Sequence, residues 1–210
     1  NDGWLDVYLG TGDPAYEALL PNRMFRNNEA KSFQDVTTSG GFGHLQKGHG
    51  IAFGDLDDDG DEDVFEVMGG ALPGDTYPSA LFENPGHPGN HWITLELEGV
   101  QTNRAAVGAR IVVLVNNGRT ERRIYRTVGY GSSFGGNPLR QHIGIGPSTE
   151  IDRIEITWPV SKSTQRFVHV AADQVLHIVE GTEATVPVHR KTFTLAPASP
   201  AHMHTMASPQ

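Results

Sequence analysis

The 210-residue chain contains no cysteine. That excludes a disulfide framework, thiolate metal ligation and redox chemistry at sulfur. No apolar run approaches the roughly 18 residues of a membrane-spanning helix, so no membrane insertion is expected. No Asn is followed two positions later by Ser or Thr, which removes the usual route to N-glycosylation. Basic residues are scarce at one end: residues 1–90 carry 4 basic and 16 acidic side chains, residues 91–181 carry 10 and 8. A net charge of -9 concentrated in one half repels nucleic acid and anionic lipid and attracts cations. The chain opens at Asn1 without a charged-then-apolar leader, so a signal peptide is expected to have been removed or to lie outside this sequence.

What is abundant is glycine, 25 residues, and proline, 13, the composition of short strands joined by many turns. The length suits two small units with cores of their own. An all-β fold in two units is the expectation, with boundaries at 1–90, 91–181 and a tail at 182–210.

The first 28 residues, laid without a gap on residues 58–85, repeat at an offset of 57. Asp2, Gly3, Asp6, Val7, Gly12, Pro21, Phe25 and Asn27 recur as Asp59, Gly60, Asp63, Val64, Gly69, Pro78, Phe82 and Asn84. Each copy reads as loop, strand (Val7–Leu9, Val64–Met68), Gly-rich turn and short strand (Met24–Phe25, Leu81–Phe82) ending at Asn. "SFQDVT" and "HGIAFGD" between the copies add two more strands, about four per unit, the period of β-propeller blades and related arrays.

The sharpest feature is "GDLDDDGDEDVF", in which seven of the nine residues from Asp55 to Asp63 are acidic. Carboxylates this close repel one another unless a cation neutralises them. Alternation points Asp55, Asp57 and Asp59 inward, Gly60 permits a sharp turn, and the Asp61 carbonyl and Asp63 carboxylate complete an oxygen cage. Calcium suits such a cage because it accepts many ligands in irregular geometry. Glu66 occupies the twelfth position of an EF-hand pattern, but the flanks have no helical periodicity, so strand–loop–strand is expected. In the first copy only Asp2 and Asp6 remain as a partial second site, its earlier registers falling before Asn1.

The segment "HGIAFGDLDDDGDEDVFEV" resembles the FG-GAP/VCBS repeats that hold calcium in a hairpin loop of integrin-type propellers. From about His91 to Glu180 the chain resembles the ASPIC/UnbV domain, through "NRAAVGARI", "GYGSS", "HIGIG", "ITWP" and "QVLHIVEG"; it departs in placing Val160 and Ser161 after Trp-Pro. The resemblance implies partial β-propeller-like repeats packed on a β-sandwich-like domain, in a secreted or surface protein akin to cartilage acidic protein-like and bacterial VCBS-repeat proteins. It implies no catalytic activity.

The second half itself alternates in "HWITLELEG", "ARIVVLVNNGRTERRIYRTV", "EIDRIEITW" and "QVLHIVE", with a hairpin signal at Asn116–Gly118. Trp92, Ile111, Val113, Ile154, Ile156, Trp158, Val175 and Ile178 are the expected core. Arg119, Arg122, Arg123 and Arg126 form a basic hairpin face, read as a solvated strand face or as a contact for a polyanion. "GSSFG" matches the nucleophile-elbow pattern with Ser133 as nucleophile and His142 or His169 as base, but the Gly-Gly-Asn-Pro that follows cannot open the required helix. His202 and His204 lie in a tail of disordered composition. The expected function is an extracellular, calcium-binding structural or adhesive module and not an enzyme. Its expected partners are copies of itself, matrix proteins or glycans; a carbohydrate-active enzyme or glycan-binding accessory domain is the alternative. "EATVPVHRKTFTL" (183–195) has strand character without a partner in the family pattern; it is read as pairing within its own chain, as a disordered linker, or as a strand donated to a neighbouring chain, which would build a head-to-tail homo-oligomer.

Overall fold

The structure, a computed structural model, describes residues 1–210 except 14, 16, 18, 71–73, 75, 117–120, 130, 132–133 and 196–210. Among the described residues every regular element is a strand. The acidic half forms two three-stranded antiparallel sheets. One comprises β1 (Val7–Leu9), β2 (Arg23–Asn28) and β3 (Ser32–Asp35); the other comprises β4 (Gly48–Gly54), β5 (Asp63–Met68) and β6 (Ala80–Phe82).

The 57-residue offset is carried into three dimensions without a slip. Val7 pairs with Phe25 and Tyr8 with Met24, as Val64 pairs with Phe82 and Phe65 with Leu81. The polar bonds repeat too. Asp6 Oδ1 accepts the Asn27 N–H at 2.7 Å and Asp63 Oδ1 the Asn84 N–H at 2.8 Å; Asp2 Oδ1 accepts the Trp4 N–H at 2.8 Å and Asp59 Oδ1 the Asp61 N–H at 2.9 Å. Each sheet holds three strands rather than the expected four: the second lacks a repeat of β3, whose registers fall at 89–92 where the chain has begun β7 (His91–Glu98), and the first lacks a counterpart of β4 among the described residues. No closed propeller forms among the described residues.

Between the two sheets Tyr8, Met24, Ile51 and Val64 make a small core with Phe42 and Phe82. Inside it Glu66, fully buried, accepts the Tyr8 hydroxyl at 2.6 Å. Glu66 is thus an inward-facing strand residue, as the absence of flanking helices requires.

The remaining strands are β8 (Arg110–Asn116), β9 (Glu121–Thr127), β10 (Gln141–Gly146), β11 (Glu150–Thr157), β12 (Thr164–Ala171), β13 (Gln174–Val179) and β14 (Val186–Val188). They join β7 in two sheets, ordered β10-β7-β13-β14 and β12-β11-β8-β9. The inward faces supply one apolar core: Ile93 and Leu95 from β7, Ile143 and Ile145 from β10, and Leu176 and Ile178 from β13, against Ile111, Val113, Ile154 and Ile156. Trp158, 0% exposed, closes one end. There the Pro159–Ser163 turn is shut by the Trp158 N–H to Ser163 carbonyl bond at 3.0 Å, with Lys162 at φ 58°. The hairpin residues Asn117 and Gly118 lie outside the described residues.

Two expected core residues face the other way. Alternation from Ile93 and Leu95 turns Trp92 to the outer face of its sheet, where its ring stacks on His142 with centroids 5.3 Å apart. Val175 is buried, but on the face opposite Leu176 and Ile178. The strand character expected within 183–195 is realised inside the chain. Val186–Val188 adds to the free edge of β13 in its own chain, with Val175 opposite Val188, because β13 is otherwise an unpaired edge within reach of the residues that follow it. Donation to a neighbour would require this pairing to open.

A buried carboxylate ties the sandwich together. Glu180, 7% exposed, accepts the backbone N–H groups of Val100, Gln101 and Thr102 at 2.7, 2.8 and 2.8 Å and the Ser161 hydroxyl at 2.6 Å. Burial alone raises its pKa, but the Ser161 hydroxyl and the three N–H groups outweigh that and hold it at about 2. Its contribution is therefore present above the unfolded carboxylate pKa and lost as pH falls toward 2. Glu180→Ala is expected to destabilise the fold by about 3 kcal/mol or more at pH 7, and by much less at pH 3, as read from denaturant melts at the two pH values.

Candidate metal centre

The loop between β4 and β5 folds on its own carboxylates. Asp55 accepts the Asp59 N–H at 3.1 Å and the Gly60 N–H at 3.2 Å, which pulls the chain into a tight coil. Asp63, at the start of β5, closes that coil by accepting the Leu56 N–H at 3.1 Å with Oδ2, while its Oδ1 holds the end of β6. Asp58 takes a left-handed φ of 55° and Gly60 one of 94°; for the non-glycine residue this costs roughly 1–2 kcal/mol. Gly60 also lies directly on the Trp92 indole, with no room for a Cβ, so glycine is required there twice over.

The result brings one ligand oxygen each from Asp55, Asp57 and Asp59 within 4.8 Å of one another. Asp57 is 4% exposed, and its Oδ1 has no hydrogen-bond partner. Burial, with the charges of Asp59 and Asp63 behind it, raises the Asp57 pKa. Burial likewise raises that of Asp55, against the pull of Arg140. A buried, unbonded carboxylate oxygen between two further carboxylates is an arrangement that a hard cation relieves, so these residues fit calcium. The Asp61 side chain is engaged elsewhere, accepting the Asn1 amide at 2.8 Å.

Sequence reasoning missed the cations that fix this loop. Arg140 donates to Asp58 at 3.2 Å and to the Asp55 carbonyl, and Arg190 lies 3.8 Å from Asp58. Each comes from a segment distant in sequence, so spacing carried no signal of it. The loop rests on the outer face of the β10-β7-β13 sheet. There His142 Nε2–H donates to Asn1 Oδ1 at 2.7 Å and His142 Nδ1 accepts the Thr94 hydroxyl at 2.9 Å. Burial pushes the His142 pKa down to about 3. With both ring nitrogens bonded, His142 is held as a neutral packing residue; Ser133 lies outside the described residues, and His169 is exposed beside Glu150.

Asp2 and Asp6 repeat the scaffolding bonds of Asp59 and Asp63, and the group of carboxylates able to hold a metal among the described residues is Asp55, Asp57 and Asp59. The described arginines of the basic hairpin, Arg122, Arg123 and Arg126, do not share one face. Strand alternation in β9 leaves Arg123 exposed and turns Arg122 and Arg126 inward. Arg122 donates to the Asp2 carbonyl at 2.8 Å and lies 5.1 Å above the Trp4 ring. Arg119, His202 and His204 lie outside the described residues. A cleft of about 1320 Å³ runs between the acidic half and the sandwich, lined among others by Trp4, Glu62, Tyr125 and Arg126.

Residues 1–66 match the family model for an FG-GAP-like repeat, and residues 99–185 match that for ASPIC and UnbV. A search of curated proteins returns no match. The chain therefore combines an FG-GAP-like repeat segment with an ASPIC/UnbV domain after it, in the order its motifs imply. Such segments are generally non-catalytic, and FG-GAP-like repeats are typical of extracellular and surface proteins and typically bind calcium.

Glu62 in the cleft provides a test of this electrostatic layout. Burial pushes its pKa up to about 7, opposed by Arg126. The folded protein thus holds a proton that the unfolded chain releases near 4.3, so its contribution is full below that value and is lost as pH rises through about 7. Glu62→Gln, melted in chelator, is expected to match the parent at about pH 4 and to exceed it increasingly as pH rises, most above pH 7.5; equal melting temperatures across that range would contradict the assignment.

Proposed function

We propose that this chain is an extracellular calcium-binding module with a structural or adhesive role, in which the metal fixes the acidic loop against the sandwich. The observation that carries the reading is the buried, unpartnered Asp57 Oδ1 among the carboxylates of Asp55 and Asp59. Asp55, Asp57 and Asp59 supply side-chain oxygens, and Asp63 and the Asp61 carbonyl complete the cage. Calcium contributes charge neutralisation and cross-linking of the loop, and no reaction is assigned to it. The ligands lie on a surface loop whose excess charge is only partly met by Arg140 and Arg190, which supports a dissociation constant on the order of 0.1–1 mM, suited to extracellular calcium. Its partners are other copies, matrix proteins or glycans.

Calcium at about 10 mM is expected to raise the melting temperature by about 3–10 °C over chelator. Asp57→Asn is expected to abolish that rise and, by removing a buried charge crowded by Asp59 and Asp63, to increase stability in chelator. An unaltered protein whose melt ignores calcium would overturn the reading.

A second reading, glycan binding, is favoured by the cleft between the two halves. It presents the aromatic rings of Trp4 and Tyr125 beside Glu62 and Arg126, the mix of apolar faces and polar groups that a ligand cleft uses. A glycan array probed with the parent and with Arg126→Ala tests it: binding that the substitution abolishes supports the cleft, and an array without signal for the parent removes it.

A further inference from the structure

After β14 the chain crosses the outer face of the sheet and reaches the acidic loop. Arg190 bonds Glu96 on β7 and lies 3.8 Å from Asp58. Thr192 Oγ1 donates to the Asp58 carbonyl at 2.8 Å, and the Phe193 N–H donates to the Asp57 carbonyl at 3.0 Å. The Thr192 and Phe193 bonds are made to the loop's main chain, at the residue whose Oδ1 is unpartnered and at its left-handed neighbour, and Arg190 lies beside the Asp58 side chain. Residues 190–193 thus hold the loop from a segment distant in sequence, whereas the Asp55 carboxylate holds it from within.

We propose that residues 190–193 form a strap that positions the acidic loop for a divalent cation, so that strap docking and metal binding reinforce each other. The inference rests on the calcium reading of the loop. Two effects of the strap oppose. Its docked hydrogen bonds order the Asp57–Asp58 main chain before the ion arrives, which removes an entropic cost from binding. The Arg190 charge repels the ion, but it is shared between Asp58 and Glu96 and is exposed enough to be screened by salt. Ordering therefore dominates, and the strap raises affinity. Reciprocity then requires that the ion tighten the strap by the same factor.

The experiment uses the full chain with Thr192→Val combined with Phe193→Pro, which removes both donors at an exposed segment, and Arg190→Ala as a second variant. Calcium is titrated calorimetrically, with terbium luminescence as an independent readout. The double variant is expected to bind calcium about 5-fold or more weakly, while its melting temperature in chelator stays near that of the parent. Amide exchange in residues 190–193 of the parent is expected to slow on adding calcium. Equal affinities in parent and double variant, or exchange at 190–193 that ignores calcium, overturns the strap while leaving the metal site standing. A parent that takes up neither calcium nor terbium overturns the metal site and the strap together. Arg190→Ala separates the two effects: weaker binding than the parent supports positioning, and tighter binding overturns it, because charge repulsion then outweighs ordering.

Discussion

Seven carboxylates in nine residues form the constraint around which the acidic half is arranged. The chain disperses that charge in separate ways. Asp55 and Asp63 direct theirs to backbone N–H groups, which fold the loop. Asp58 turns outward to two arginines, and Asp61 meets the Asn1 amide. Glu62 is buried in the cleft, where Arg126 opposes the rise of its pKa, and the remaining charge is concentrated at Asp57 and Asp59, where the demand for a cation is greatest. The docking of the two halves follows from the same distribution, because Arg140 and Arg190 come from the sandwich and from the segment beyond it.

The sandwich answers the loop with one unusual sheet face. Its inward face is ordinary apolar packing, whereas its outer face carries Trp92, Thr94, Glu96 and His142. A solvated outer face needs no indole and no histidine with both nitrogens bonded. This one has them because it is an interior surface shared by two layers. The same principle of satisfying charge with backbone donors governs Glu180, where three successive N–H groups receive one carboxylate.

The all-β class, the repeat and most strands are legible in the sequence, since alternation and turn residues report local structure directly. The expected bounds of β1 are the observed ones, and the offset of 57 foretells the pairing of both copies. β12 is not legible: its charged and polar residues break the alternation, and only its neighbour β11 and the core define it. Trp92 faces away from its expected side because hydrophobicity suggests burial without saying on which face. At the metal centre the acidic side chains are visible as a cluster, but their division of labour is not. Whether an aspartate binds a backbone N–H, an arginine or nothing depends on what packs against it, and Arg140 and Arg190 lie 82 and 132 positions from Asp58.

The close seating of Gly60 on the Trp92 indole carries an optical consequence. Of the three tryptophans, Trp158 is sealed in the sandwich core and Trp4 lies beneath the Arg122 guanidinium. Trp92 is the one seated on the acidic loop. Its stacking partner His142 stays neutral down to about pH 3, so protonated imidazole does not quench it across the physiological range. The emission of this single indole is therefore a built-in reporter of the loop's conformation, and rearrangement of the loop is visible in the protein without an added dye.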